Sequence, residues 1–221
     1  MAFFSRLFGK GKANDAAIAD AASEAPEAPT ATVAAPPTHD GFDAGTAMKV
    51  PKLRAYEAFG GAVRVLEAPA GKAWEVDEDG RQGQGFLAMS LRFIRPAEPA
   101  PMALLAKIYT LIDGTKPNDP ASTDWRAAFA PLFASVDRVD VTTTEQLTME
   151  SALPATEVIV EGVSAEGGFP LRIRERRAVL GNEEFVVTAM CAISLLERFA
   201  GHIDAWFDTV AFVPSPALPP D

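Results

Sequence analysis

The densest run of cations in this chain is LRIRERR, residues 171–177. On a strand, alternate side chains share a face at intervals of about 6.6 Å. Arg172, Arg174 and Arg176 would then stand in register, with Leu171, Ile173, Glu175 and Arg177 on the other face. Three guanidiniums in register could bind an acidic peptide or another anionic partner. The other reading is a solvated sheet face whose arginines pair with acids on a neighbouring strand, and Glu157 and Glu161 of TEVIVEG are placed for that. In a chain of net charge -10 the pairing is the preferred reading.

The remaining reactive residue types are sparse. Of the two histidines, His39 lies in an Ala/Pro/acid stretch and His202 lies in the last helical pattern, with Ala205 and Trp206 where a second metal ligand would have to be. The single cysteine, Cys191, sits in FVVTAMCAIS, where a thiol behaves as a small buried hydrophobe, and it rules out an intramolecular disulfide. GKGK and GQG match neither the dinucleotide fingerprint nor the phosphate-binding loop. The acid pairs of EVDEDG and GNEE fall in turns, and no nucleophile elbow is present. The expectation is no enzyme, no catalytic residue, no metal and no cofactor.

These residues need elements to position them. GGAVRVLEAP and KAWEVDEDG read as short strands around a Pro-Ala-Gly turn. Leu87, Met89, Leu91 and Phe93 alternate with Ala88, Ser90 and Arg92, a half-buried strand. Met102, Leu105, Ile108, Tyr109 and Ile112 are spaced as a helix over PMALLAKIYTLID. A second helix is expected over STDWRAAFAPLFASVDRV, capped by Ser122, Thr123 or Asp124 and kinked at Pro131. Alternating segments follow from Asp137 to Gly181, and NEEFVVTAMCAIS, apolar on both faces, suits a central strand. Leu196, Phe199, Ile203, Trp206, Phe207 and Val210 then form the stripe of a terminal helix. Strands, two helices, four strands and a helix make an α+β domain, an antiparallel sheet with helices packed on it.

At 221 residues, 48% of them apolar, the chain has room for one core-bearing domain and a tail. The acidic balance argues against nucleic acid, which needs clustered Lys and Arg. No apolar run approaches the roughly 18 residues of a membrane-spanning helix. FFSRLF is too short and charged for a signal-peptide core, and no lipidation cysteine follows, so the expected compartment is the cytoplasm.

LEAPAGKAWEVDEDG resembles the opening hairpin of the PsbP-like superfamily, where a Pro-x-Gly-x-x-Trp stretch leads from the first strand to the second. FPLRIRERRAVLGNEEFVVTAMCAISLLERFAGHIDAWFDTVAF resembles that superfamily's ending: two long strands around a tight turn, a helix and a short apolar segment. The resemblance, over roughly residues 60–213, implies an antiparallel sheet packed between helices, a PsbP-like αβα sandwich. It also implies a binding role: the superfamily includes photosystem accessory subunits, DcrB-type envelope lipoproteins, a regulator of a nuclear GTPase and cytoplasmic chaperones for type VI secretion effectors. No binding residue carries over, because no short functional motif matches.

The chain opens MAFFSRLFGKGK. As a helix at about 100° per residue, Phe3, Phe4, Leu7 and Phe8 fall within an arc of about 140°, flanked by Arg6 and Lys10. Such a segment suits a weak, reversible membrane-surface contact or a groove on a protein partner; it could also fold back or do nothing. Behind it, residues 13–49 are too poor in large apolar residues to offset their ordering entropy and read as a disordered linker, which favours a tether. The expected organisation is therefore 1–12 amphipathic segment, 13–49 linker, 50–213 domain and 214–221 tail. The expected function is a non-catalytic cytoplasmic binding or adaptor protein with a protein partner. The alternatives are a chaperone for a type VI secretion effector and, from another class, a small-ligand carrier or enzyme using a pocket between sheet and helices.

Overall fold

The apolar run EEFVVTAMCA forms the middle of a seven-stranded sheet. In the computed structural model, which describes residues 53–69, 71–96, 98, 100–144 and 154–213, this run is β9 (Glu183–Ala192), buried at every position except Glu184. It lies between β5 (Met102–Leu111) and β8 (Pro170–Leu180). The order continues outward through β4 (Phe86–Ile94) to β3 (Glu75–Gly83), and through β7 (Ala155–Ser164) to β6 (Phe133–Thr144). All neighbours are antiparallel. Gly181 and Asn182 close the β8–β9 hairpin, and Gly181 takes φ 62°, the left-handed value that such a two-residue loop needs and that favours glycine.

A second sheet has the order β1 (Leu53–Ala58), β2 (Val63–Pro69), β10 (Val210–Phe212). Here the expected opening hairpin is corrected. β2 pairs with β1 and β10, and β3 pairs with β4, so the turn through Gly71 and Trp74 carries the chain from one sheet to the other.

Two expected helices are also corrected. The segment from Met102 is β5, with Met102, Leu104, Ala106 and Ile108 buried on one face and Leu105, Lys107 and Tyr109 half-buried on the other. Its residues are apolar at both helical and alternating positions, so periodicity could not decide between them; pairing to β4 and β9 did. The second helix is only α1 (Trp125–Phe129). Asp124 caps it, its carboxylate accepting from the Ala127 N–H at 3.1 Å. Pro131 lies in a 3-10 turn over Ala130–Leu132, and Phe133 already begins β6, so the proline ends the helix rather than bending it.

The terminal helix forms as its stripe predicts. α2 (Leu196–Thr209) buries Phe199, Ile203, Trp206 and Phe207. Trp206 meets Phe93 edge-on at 5.4 Å between ring centroids, and its Nε1–H donates to the Leu105 carbonyl at 3.3 Å. Leu91, Leu104 and Ile108 of the large sheet and Val63, Val65 and Phe212 of the small one complete this core. Each fully buried large side chain contributes about 1.5–3 kcal/mol. The fold is mixed α+β, dominated by antiparallel sheet.

Candidate functional site

Alternation along β8 sends Arg172, Arg174 and Arg176 to the face beneath α2. The Arg174 guanidinium lies 4.3 Å from the Phe207 ring centroid and that of Arg176 5.3 Å. Arg177 points the other way, 4.8 Å from the Trp125 ring of α1. The register then sets the ion pairs. Arg172 stands opposite Glu161, and Arg176 opposite Glu157.

Arg172 donates from Nε to Glu161 Oε1 at 2.5 Å and also from Nη2 to the same oxygen. Glu157 takes two arginines at once: Arg174 Nε on Oε1 and Arg176 Nε on Oε2, both at 2.9 Å. Arg174 reaches on to Asp204 of α2 at 3.2 Å. Arg176 Nη1 donates to the Phe207 carbonyl at 3.2 Å, one of the acceptors left open by the last turn of α2, so it caps the helix and answers its dipole. Glu157 and Glu161 are thus the partners of the arginine face, as the alternation suggested, and Asp204 adds a third carboxylate.

Between this face and α2 lies a cavity of about 250 Å³. β7 contributes Glu157 and Ile159, β8 Arg172 and Arg174, and β9 Ala189 and Cys191. The helix contributes Leu196, Ala200, Ile203 and Asp204. Six of these ten residues are apolar, and the four charged ones, Glu157, Arg172, Arg174 and Asp204, are held by ion pairs. Cys191 is buried, and desolvation pushes its thiol up to about 11 against the weaker opposing pull of the Arg172 charge, so it is a neutral thiol and a poor nucleophile.

His202 lies outside the cavity, with Trp74 at 5.5 Å and Phe199 at 5.6 Å between ring centroids. Burial, with the Arg95 charge second, holds its pKa below the ordinary imidazole value. Beside it, Glu98 accepts from Arg95 at 2.8 Å and from Arg198 at 2.9 Å, clasping the β4–β5 connection to α2. Among the described residues no three His, Cys, Asp or Glu side chains gather as metal ligands would, and no helix is long and apolar enough to cross a membrane.

Phe3, Phe4, Arg6, Leu7, Phe8 and Lys10 lie outside the described residues, as do His39, residues 13–49 and the tail 214–221. Sequence reasoning missed Ala200 and Asp204. The signal for Ala200 was its place four residues after Leu196 and three before Ile203, on the flank of the buried stripe; nothing local marked Asp204, whose partner is on another element.

No family model matches the chain, and no curated protein matches it. Among solved structures, the chain is similar to LpqN, involved in cell envelope biogenesis of Mycobacterium tuberculosis, at 10% identity and a TM-score of 0.46, over 75% of this chain and 93% of that one. It is also similar to PA94, a protein of unknown function from Pseudomonas aeruginosa, at 16% identity and a TM-score of 0.40, over 75% of this chain and 99% of that one. Likenesses this remote assign no family and no activity.

Proposed function

We propose that this is a non-catalytic binding or adaptor protein that receives a segment of a protein partner in the cleft between β7–β9 and α2. The observation that carries the reading is the cleft itself: six apolar lining residues, about 250 Å³ of space, and lining arginines preorganised by Glu157, Glu161 and Asp204. The chemistry around it fits binding better than turnover. Its thiol is protonated, Glu157 is engaged by two guanidiniums, and His202 packs on Trp74 away from the space.

The finer fold reading belongs with this proposal: a PsbP-like domain with its sheet between helices. The β8–β9 hairpin, α2 and β10 follow in the order the resemblance implies, and Trp125 and Phe207 stand against opposite faces of β8. A free, buried thiol and an acidic chain suit the cytoplasm, and cell fractionation tests that compartment. The test of the function is Ala200→Phe, which fills the cleft from an exposed helix position. A partner that co-purifies with the full chain should be lost from the variant while its melting temperature holds; a partner retained in full would overturn the reading.

A further inference from the structure

The donors of the arginine face are not equally committed. Arg174 places Nε, Nη1 and Nη2 on Glu157 and Asp204. Arg176 places Nε and Nη2 on Glu157 and Nη1 on the Phe207 carbonyl. Arg172 spends Nε and Nη2 on a single oxygen of Glu161, and its Nη1 has no partner among the described residues. It is also the most accessible of the three, its side chain 37% exposed. At the α2 side of the cleft, Asp204 uses Oδ1 for Arg174, while its Oδ2 has no partner among the described residues.

Arg172, with an uncommitted donor, and Asp204, with an uncommitted carboxylate oxygen, both line the cleft beside Ile159, Leu196 and Ile203. A doubly charged anion suits it poorly, because Glu157, Glu161 and Asp204 would repel it and one open guanidinium nitrogen cannot answer it. A single carboxylate matches. At a liquid share of about 30 Å³ per water, the space holds about eight water-sized groups, close to one terminal aliphatic residue.

We infer that the cleft captures the C-terminal residue of a partner polypeptide: Arg172 Nη1 takes the terminal carboxylate, Ile159, Leu196 and Ile203 enclose a branched aliphatic side chain, and Asp204 accepts a backbone N–H of the departing chain. This inference rests on the cleft being the partner site, and it adds the chemistry of what enters. The open helix-side carboxylate favours a peptide: a free fatty acid has no N–H to offer it, and because Arg174 already answers the Asp204 charge, its open oxygen suits the neutral N–H of a peptide better than the ammonium of a free amino acid.

The probe is the peptide acetyl-Ala-Ala-Leu, titrated into the full chain by calorimetry beside its C-terminal amide, free leucine and free 4-methylpentanoate. The free-carboxylate peptide should bind at least tenfold more tightly than the amide, leucine or 4-methylpentanoate. Arg172→Met and Ala200→Phe should each weaken it at least tenfold, with folding checked by thermal melting. Ala200→Phe keeps the test decisive if Arg172→Met folds poorly. Equal binding of acid and amide, no binding of any probe, or tightest binding of leucine or 4-methylpentanoate would each overturn the inference. If the probes fail while Ala200→Phe still releases a co-purifying partner, the ligand chemistry is wrong and the binding reading stands. If the probes bind as expected while the partner stays, the chemistry holds and the partner site lies elsewhere.

Discussion

Replacing Glu157 with alanine should destabilise the domain far more than the same change at Glu161, though both carboxylates serve the same arginine face. Glu157 is 15% exposed in its side chain and holds Arg176, itself only 10% exposed, together with Arg174. Removing one member of a buried pair costs about 3–5 kcal/mol, because the other charge is left without compensation. Arg174 keeps Asp204 and Arg176 keeps the Phe207 carbonyl, which places the expected loss near the lower end, about 3 kcal/mol. Domains of this size shift by about 2–4 °C per kcal/mol, so the melting temperature should fall by about 6–12 °C. Glu161 is nearly as buried, at 17%, but its partners Arg172 and Arg138 are 37% and 58% exposed, so water can reach the charges its removal leaves; pairs with such exposed partners contribute about 0–1 kcal/mol, and its loss should cost at most about 4 °C. Urea unfolding of both variants, with unchanged slopes, gives the difference directly. Losses within about 0.5 kcal/mol of each other would refute the claim that burial, rather than the number of ion pairs, sets the strength of this face.

Four further outcomes are expected. The folded protein holds the His202 pKa low, so as pH falls through about 6.5 the unfolded chain takes up a proton that the folded one resists; stability should drop between pH 7.5 and 5 in the wild type and drop less in His202→Gln, by urea unfolding. Cys191 should not react with a thiol reagent at pH 8 until the protein is denatured. Because its folded value is raised to about 11, stability should fall as pH climbs from about 8.5 to 11, and Cys191→Ala should remove that part of the fall. Gly162→Ala would drive a Cβ into the Ser135 carbonyl oxygen at the bulged start of β6, and forcing that backbone apart should cost roughly 1–3 kcal/mol in a melting experiment. Deleting residues 1–12 should leave the melting temperature and the partner of the cleft unchanged and abolish only the association that the segment itself carries; if that association weakens with salt it is with a membrane surface, and if it survives salt it is with a groove for the phenylalanines.

Where one signal dominated, the sequence was readable. EEFVVTAMCA, short and apolar at nearly every position, suited a central strand covered on both faces, and the α2 stripe fits helical spacing. The Glu157 and Glu161 pairings followed from alternation alone, because β7 and β8 are neighbours in sequence as well as in space. Elsewhere the deciding force was remote. Met102–Leu111 satisfies both periods, and its strand form is fixed by β9, a segment made much later in the chain. The small sheet was illegible for the same reason, since β2 finds β10 only after the whole domain has intervened. The cleft combines both difficulties: its sheet floor was legible, but the helix wall that completes it is placed by tertiary packing.

The strand order also has a consequence for how the molecule comes together. β3-β4-β5 is one meander of sequence neighbours and β6-β7-β8-β9 is another, and the large sheet exists only once β5 zips to β9 along the single seam from Met102–Cys191 to Thr110–Glu183. Each meander can pair locally, but the seam must bring distant segments together, and closing such a loop is what slows folding. Until it closes, the two most apolar edges of the protein are bare. During synthesis β5 must wait, unpaired on one side, until β9 has left the ribosome, and in that interval the nascent chain is open to pairing with its own copies. Once the seam is shut, the outer strands of the sheet are β3, rich in acids, and β6, bulged and carrying Asp137, Arg138 and Asp140. The sticky edges face each other, and the edges that remain are ones another strand has difficulty joining.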